Sequence, residues 1–226
     1  MKTLLLSILT SLLSALSQQT LKSDISLSVT APDSQPITYS GSLLMQGELF
    51  RAEMLGITAA YDGSALFIYQ PEADELTISN PSAEDLRQTN PLLFVKALVP
   101  LCNAAERAAK NNSETVITLS PKNSSASTAP AGGMPASVAQ DYSPASLLDG
   151  VRTITLRVRN ADLMPLSVEL RETKTTTLLT FKAPRWLSSP ADAAASASAN
   201  SSAASVSSPF VLSADDFPSA FINDLR

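Results

Sequence analysis

Between Gly41 and Pro91 the chain reads as a run of strands joined by tight turns and closed by a proline-started helix. Its centre is Ala60-Tyr61-Asp62-Gly63-Ser64-Ala65-Leu66-Phe67-Ile68-Tyr69-Gln70-Pro71, with an Asp-Gly pair between two apolar runs. Such a pair predicts a hairpin, because glycine accepts the positive φ that a two-residue turn demands. The flanking strands carry Leu43, Met45, Phe50, Met54, Phe67 and Tyr69, a large apolar load for one meander. A sheet loaded in this way has two options. It packs its apolar face on another layer, or it curls around something apolar that is not protein.

The remaining chain extends the pattern. Asp24-Ile25-Ser26-Leu27-Ser28-Val29 alternates strictly, as a half-buried strand does. Further strands are predicted over 37–46, 49–55, 57–61, 65–69 and 75–79. Asn80-Pro81 and Asn90-Pro91 each read as an N-cap followed by proline at the first helical position. The first predicts a short helix over 81–88. The second starts a helix through Leu101 with almost no polar face, since Lys96 is its one charge before Pro100. Such a helix must be covered on both sides or face lipid. Pro100 should kink or end it, and 103–110 reads as a polar helical continuation. Strands then follow over 115–119, 151–159, 165–172 and 175–181, with Leu166, Val168 and Leu170 sharing one face. Two Ser/Ala-rich stretches, at about 121–146 and 187–208, bury too little surface to order themselves. Phe210-Val211-Leu212 and Ala220-Phe221-Ile222 are closing elements.

About ten strands in hairpin succession, with few helices, define the fold class as mainly β with helices (α+β). The expected architecture is a strongly curved antiparallel sheet, or unclosed β-barrel, with helices on one side. The length of 226 residues suits one domain over 18–226 carrying the two low-complexity insertions.

Residues 1–17 have two readings. Lys2, the apolar run from Leu4 to Leu16 and the Ala15-Leu16-Ser17 site form a short secretory signal. Alternatively Leu5, Ile8, Leu9, Leu12, Leu13 and Leu16 make one face of an amphipathic helix, opposite Ser7, Thr10, Ser11, Ser14 and Gln18. Both readings stay open on sequence alone.

Composition narrows the chemistry. The net charge of −5 and the absence of a Lys/Arg cluster disfavour nucleic acid. Arg152, Arg157 and Arg159 read as solvated strand positions. There is no histidine, which removes the commonest general base and metal ligand. A single cysteine, Cys102, cannot form an internal disulfide and reads as a buried inert thiol. Asp62 reads as a turn residue, and Glu84/Asp85 and Asp215/Asp216 as solvated helix-start and turn charges. With no metal-ligand spacing and no phosphate loop, no cofactor and no enzymatic activity are expected.

The order of these pieces resembles the LolA family of outer-membrane lipoprotein carriers, in particular its branch in Bacteroidetes. The matching series is Gly41-Ser42-Leu43-Leu44-Met45, a strand with Phe50 and Glu53, Tyr61-Asp62-Gly63, Leu66-Phe67-Ile68-Tyr69 and a strand through Leu76 and Ile78. Asn80-Pro81-Ser82-Ala83-Glu84-Asp85-Leu86 and Asn90-Pro91-Leu92-Leu93-Phe94 fall at the family's helical lid. The segment from Asp215 to Arg226 looks like the branch's closing piece. The resemblance spans most of residues 20–186 and 209–226. It implies an unclosed barrel whose concave face is covered by a helical lid. It also implies a periplasmic, monomeric carrier that shields lipoprotein acyl chains between inner and outer membranes. The implied partners are acylated lipoproteins, an inner-membrane ABC-type release complex and an outer-membrane acceptor that the sequence does not identify. A related lipid-binding or lipoprotein-sensing module of the same fold, monitoring envelope stress, is the alternative.

The candidate acyl-chain site is the cavity between sheet and lid. Leu43, Met45, Phe50, Met54, Phe67 and Tyr69 are the candidates on the sheet, and Leu92, Leu93, Phe94 and Leu98 on the lid. An ordinary core has the same composition, so the argument is collective. LolA itself holds its lid with an arginine after the second strand. Here that position falls near Gln46-Gly47 and the arginine is absent. Arg51 sits on a strand and does not inherit the role.

Overall fold

The computed structural model describes residues 2–109, 112–122, 148, 150–187 and 208–226. The low-complexity stretches fall almost wholly outside them. The described elements begin with α1 (Lys2–Gln18), β1 (Thr20–Thr30), β2 (Ile37–Gln46), β3 (Leu49–Met54), β4 (Ile57–Tyr61), β5 (Leu66–Gln70) and β6 (Glu75–Ser79). Helices α2 (Ala83–Thr89) and α3 (Pro91–Leu98) follow, then a 3-10 turn (Val99–Leu101). The chain continues through β7 (Cys102–Ala108), β8 (Glu114–Pro121), β9 (Val151–Arg159), β10 (Met164–Glu172), β11 (Thr176–Leu187) and β12 (Phe221–Asp224). Among the described residues all twelve strands form one sheet, ordered β12-β6-β5-β4-β3-β2-β1-β11-β10-β9-β8-β7. The end strands β12 and β7 do not pair, so the curved sheet is an unclosed barrel.

Strand β1 joins two meanders. It pairs antiparallel with β2 on one side (Leu21 opposite Met45) and with β11 on the other (Ile25 opposite Phe181). Alternation then assigns each residue to a face. The row Phe181, Ile25, Gly41, Met54 and Ile57 crosses five strands on the concave side. A β-carbon on Gly41 would lie 2.1 Å from the Glu53 carbonyl oxygen. Only glycine lets β2 and β3 approach as they do here.

The concave side holds the main core. Phe50, Tyr61, Leu66, Ile117, Ile154 and Val158 are buried there with Leu9, Leu12 and Leu16 of α1 and Leu98 of α3. The other face of β2–β6 carries a second apolar layer. Leu212 packs with Ala60, Ala65, Phe67 and Leu76, and Phe210 packs on Leu44. Phe217 stacks on Tyr69 at 3.8 Å between ring centroids. The C-terminal segment thus crosses the convex face. It ends as β12, parallel to β6, with Asn223 donating to Glu75 at 2.9 Å.

Several local expectations need correction. The Asp-Gly hairpin closes through four residues, because Tyr61 pairs with Leu66. The Asp62 carboxylate accepts from the Ser64 and Ala65 N–H groups at 2.8 Å each, which makes the wider turn the better-satisfied one. Positive φ in two-residue turns occurs instead at Leu55-Gly56, at 57° and 79°, and at Gly47 before Glu48, at 59°. Helix α2 is capped by Ser82, not Asn80. The Ser82 hydroxyl accepts from the Asp85 N–H while the Asp85 carboxylate accepts the Ser82 N–H. This reciprocal box satisfies two donors, and the Ser82 hydroxyl, donating to the Asp85 carboxylate at 2.7 Å, with the Ser82 N–H holds that carboxyl below the usual carboxylate range. Residues 103–109 do not continue the helix, and Lys110 lies outside the described residues. Their Ala/Glu/Arg composition favours one, but β8 offers a hydrogen-bonding edge and residues 103–108 pair with it in β7. Cys102 is therefore the first residue of that strand, buried, with its thiol pKa raised by desolvation. The strand arginines are solvated as expected: Arg157 pairs with Glu114, Arg159 with Asp162, and Arg152 is exposed.

Gly41→Ala is expected to cost about 1–3 kcal/mol through overpacking against backbone. Urea unfolding checks this, with the midpoint falling and the slope unchanged.

Candidate functional site

A cavity of about 350 Å³ lies between α1, α3 and the concave face. Helix α1 supplies Leu9, Leu12, Leu13 and Leu16 at i, i+3, i+4 and i+7, the spacing that puts them on one side of a helix. Helix α3 adds Phe94 and Val95. The sheet contributes Leu21 and Leu27 of β1, Met45 of β2, Leu156 of β9, Pro165, Val168 and Leu170 of β10, and Thr177, Leu179 and Phe181 of β11. Of these sixteen residues only Thr177 has a polar side chain. β2 and β9 are four places apart in the sheet order. At ~4.8 Å per strand a flat sheet would hold them ~19 Å apart, so it is the curl that brings them around one cavity.

Both helices are fastened to the same turn. Gly47 and Glu48 link β2 to β3 in two residues. The Gly47 N–H donates to the Leu16 carbonyl in the last turn of α1 at 2.7 Å. The Glu48 carbonyl accepts from Asn90 Nδ2 at 2.8 Å. Asn90 is fully buried, and its Oδ1 accepts from the Leu93 N–H at 3.2 Å, capping α3. These contacts lie where the arginine of LolA would fall. Arg51 faces the other way, paired with Glu53 at 3.3 Å on the strand row that runs to Ala60.

The sequence-derived site residues separate into four groups. Met45 and Phe94 line the cavity. Leu43, Phe50 and Leu98 are buried in the main core, and Met54 packs against it half-buried. Leu93 turns aside into a groove with Glu48, Leu86 and Lys96. Phe67 and Tyr69 lie on the convex face under the C-terminal segment, since Leu66 and Ile68 take the concave positions of β5. The side chain of Leu92 is outside the described ones. Most of the cavity wall escaped sequence reasoning. Leu27, Val168 and Leu170 showed the right alternation, but nothing in the chain announced that β11 returns to β1. Leu166 leaves the face of Val168 and Leu170, because the β9–β10 register slips between Pro165 and Ser167. It faces a convex groove with Arg157 and Glu169 instead.

No helix among the described residues is long and apolar enough to cross a membrane. No protein-family model matches this sequence, and no curated protein sequence does. Solved structures do. The chain is similar to an uncharacterized conserved protein from Thermus thermophilus, with 10% identity, a TM-score of 0.50, and 96% of this chain and 97% of that one covered. It is also similar to the lipoprotein LppX of Mycobacterium tuberculosis, with 14% identity, a TM-score of 0.47 and coverage of 84% and 98%. A LolA superfamily protein from Nitrosomonas europaea gives 11% identity, a TM-score of 0.37 and coverage of 83% and 96%. At these identities the likeness is one of fold. The unclosed barrel with helices over its concave side is the architecture that the LolA resemblance implies.

Asn90→Ala removes both the cap of α3 and the side-chain donor to the Glu48 carbonyl. It is expected to cost about 1–3 kcal/mol. Hydrogen exchange should rise first in α3, ahead of the sheet amides.

Proposed function

We propose that this protein is a periplasmic carrier that shields lipoprotein acyl chains in the α1–α3 cavity during transfer from inner to outer membrane. The observation that carries this reading is the cavity's lining. A hydrocarbon chain offers nothing to recognise except apolar area, worth ~25 cal/mol per Å² buried. A pocket built for a polar substrate would place several polar groups at fixed positions, whereas this one has a single threonine. Binding of this kind needs no chemistry, and it can be reversed by any acceptor offering equal burial. In this reading the donor is an inner-membrane ABC-type release complex, and the protein works as a monomer. Helix α1 belongs to the working protein rather than to a discarded leader. It supplies four of the cavity's lining residues, so its removal would strip away one wall.

Native mass spectrometry of the protein purified from a periplasm tests the reading. Co-purified lipid or acylated peptide is expected, and Phe94→Glu should abolish it by placing a carboxylate in the cavity. Phe67→Ala, on the convex face, should lower stability by about 3–5 kcal/mol and leave lipid binding intact. A lipid-free protein that also ignores a fluorescent fatty-acyl probe would sink the carrier reading. The intact mass shows in the same spectrum whether α1 is retained.

A further inference from the structure

The cavity has two unlike ends. At one, Leu21 is fully buried, with Leu16 and Met45 also buried. At the other, Leu27, Leu170, Thr177 and Leu179 are only half-buried. The apolar wall then runs on beyond the cavity. Val29 is half-buried and pairs with Ile37, which is 58% exposed on the same alternation as Leu27 and Tyr39. Burial therefore falls along β1, from a closed end to an open one. The fastening of both helices at Gly47-Glu48 lies at the closed end, since Leu21 pairs with Met45 next to that turn.

The dimensions suit one chain. Six residues of β1 separate Leu21 from Leu27, which at ~3.3 Å per residue is ~20 Å. A lipid chain spans about half of a ~30 Å hydrocarbon core, or ~15 Å. A volume of about 350 Å³ has room for roughly a dozen groups of water or methylene size at ~30 Å³ each. That accommodates a single chain and not three. The one hydroxyl in the lining, Thr177, lies at the open end, where a polar head would meet it.

We propose that the cavity is a blind slot for a single acyl chain, entered methyl end first past Ile37 and Thr177 and stopped by Leu21 and Met45. The proposal rests on the acyl-chain reading above and adds to it a count, a direction and an end wall. The unit recognised is one unbranched chain. Its head group stays in water and is not selected, and any further chains of a multiply acylated cargo remain outside the slot.

Electron paramagnetic resonance on the full chain tests the direction without any variant. Stearic acid spin-labelled near its methyl end should be shielded from a water-soluble nickel chelate, and the same acid labelled near its carboxyl should be relaxed by it. Equal or reversed accessibility of the bound acids overturns the direction. Native mass spectrometry tests the count. A lysophospholipid should bind one per protein and compete on equal terms with the diacyl lipid of the same head group. A requirement for two chains overturns the single-chain slot. A series of saturated fatty acids tests the end wall. Affinity should rise roughly fourfold per methylene up to a limiting length, and Met45→Phe should move that limit to shorter acids. A limit unmoved in a variant that melts like the parent overturns the assignment of the wall. If no acid or lipid binds at all, it is the carrier reading that fails. If chains bind with the wrong direction, count or length, only the slot fails.

Discussion

Two hydrogen bonds to a single two-residue turn decide how this molecule is closed. The concave face of the sheet is apolar from β4 to β8, and no such surface stands bare in water. Helices α1 and α3 cover it, and both are tied to Gly47-Glu48, one through the Gly47 N–H and the other through the Glu48 carbonyl. Gly47 holds φ at +59°, a conformation that costs glycine little. The cover is therefore fixed at one end of the barrel and rests on side-chain packing elsewhere. The gradient of burial along β1 runs in the same direction, from that tied end outward.

The convex side of β2–β6 solves a separate problem. Leu44, Ala60, Phe67, Tyr69 and Leu76 put apolar side chains on this second face, and the chain's own C-terminal segment covers them. Phe210 and Leu187 meet in the same small cluster on Leu44. The stretch that leaves β11 and the stretch that returns to the convex face are thus anchored side by side. A long insertion between such points adds little to the entropy of closing the loop, which grows only with the logarithm of its length. Strand β12 then covers the exposed edge of β6, an edge that would otherwise template pairing with another chain.

Strand positions were legible in the sequence because alternation and turn residues are local. β2, β6 and β9 match their predicted bounds, and the helical character of α3 followed from its Asn-Pro start. Facing was less legible. Phe67 and Tyr69 look as suitable for a cavity as Met45 does, yet one residue of phase separates the two faces of a strand. That phase is set by pairing partners far away in the chain. The cavity was half hidden for the same reason. Its wall draws on β9, β10 and β11, which join the first meander only through β1, and no local signal encodes that pairing. β7 was misread as helix because an available sheet edge outweighs propensities of a few tenths of a kcal/mol per residue. The amphipathic spacing of α1 was legible. Its partner surface was not.

The missing arginine now has a physical interpretation. A charged group holding a helical cover shut gives a discrete latch, strong in low dielectric and lost when its partner moves. Asn90 is neutral, buried and bound to backbone, so its tie to the turn carries no charge of that kind. Opening such a cover means separating apolar surfaces, Phe94 and Val95 from the strands beneath. The cost rises continuously with the area exposed. In the proposed carrier reading, a chain entering the slot restores that area, so loading and closing draw on the same interaction. On that reading release needs no trigger within the protein, only an acceptor that buries the chain at least as well as Leu21, Leu27 and Phe94 do.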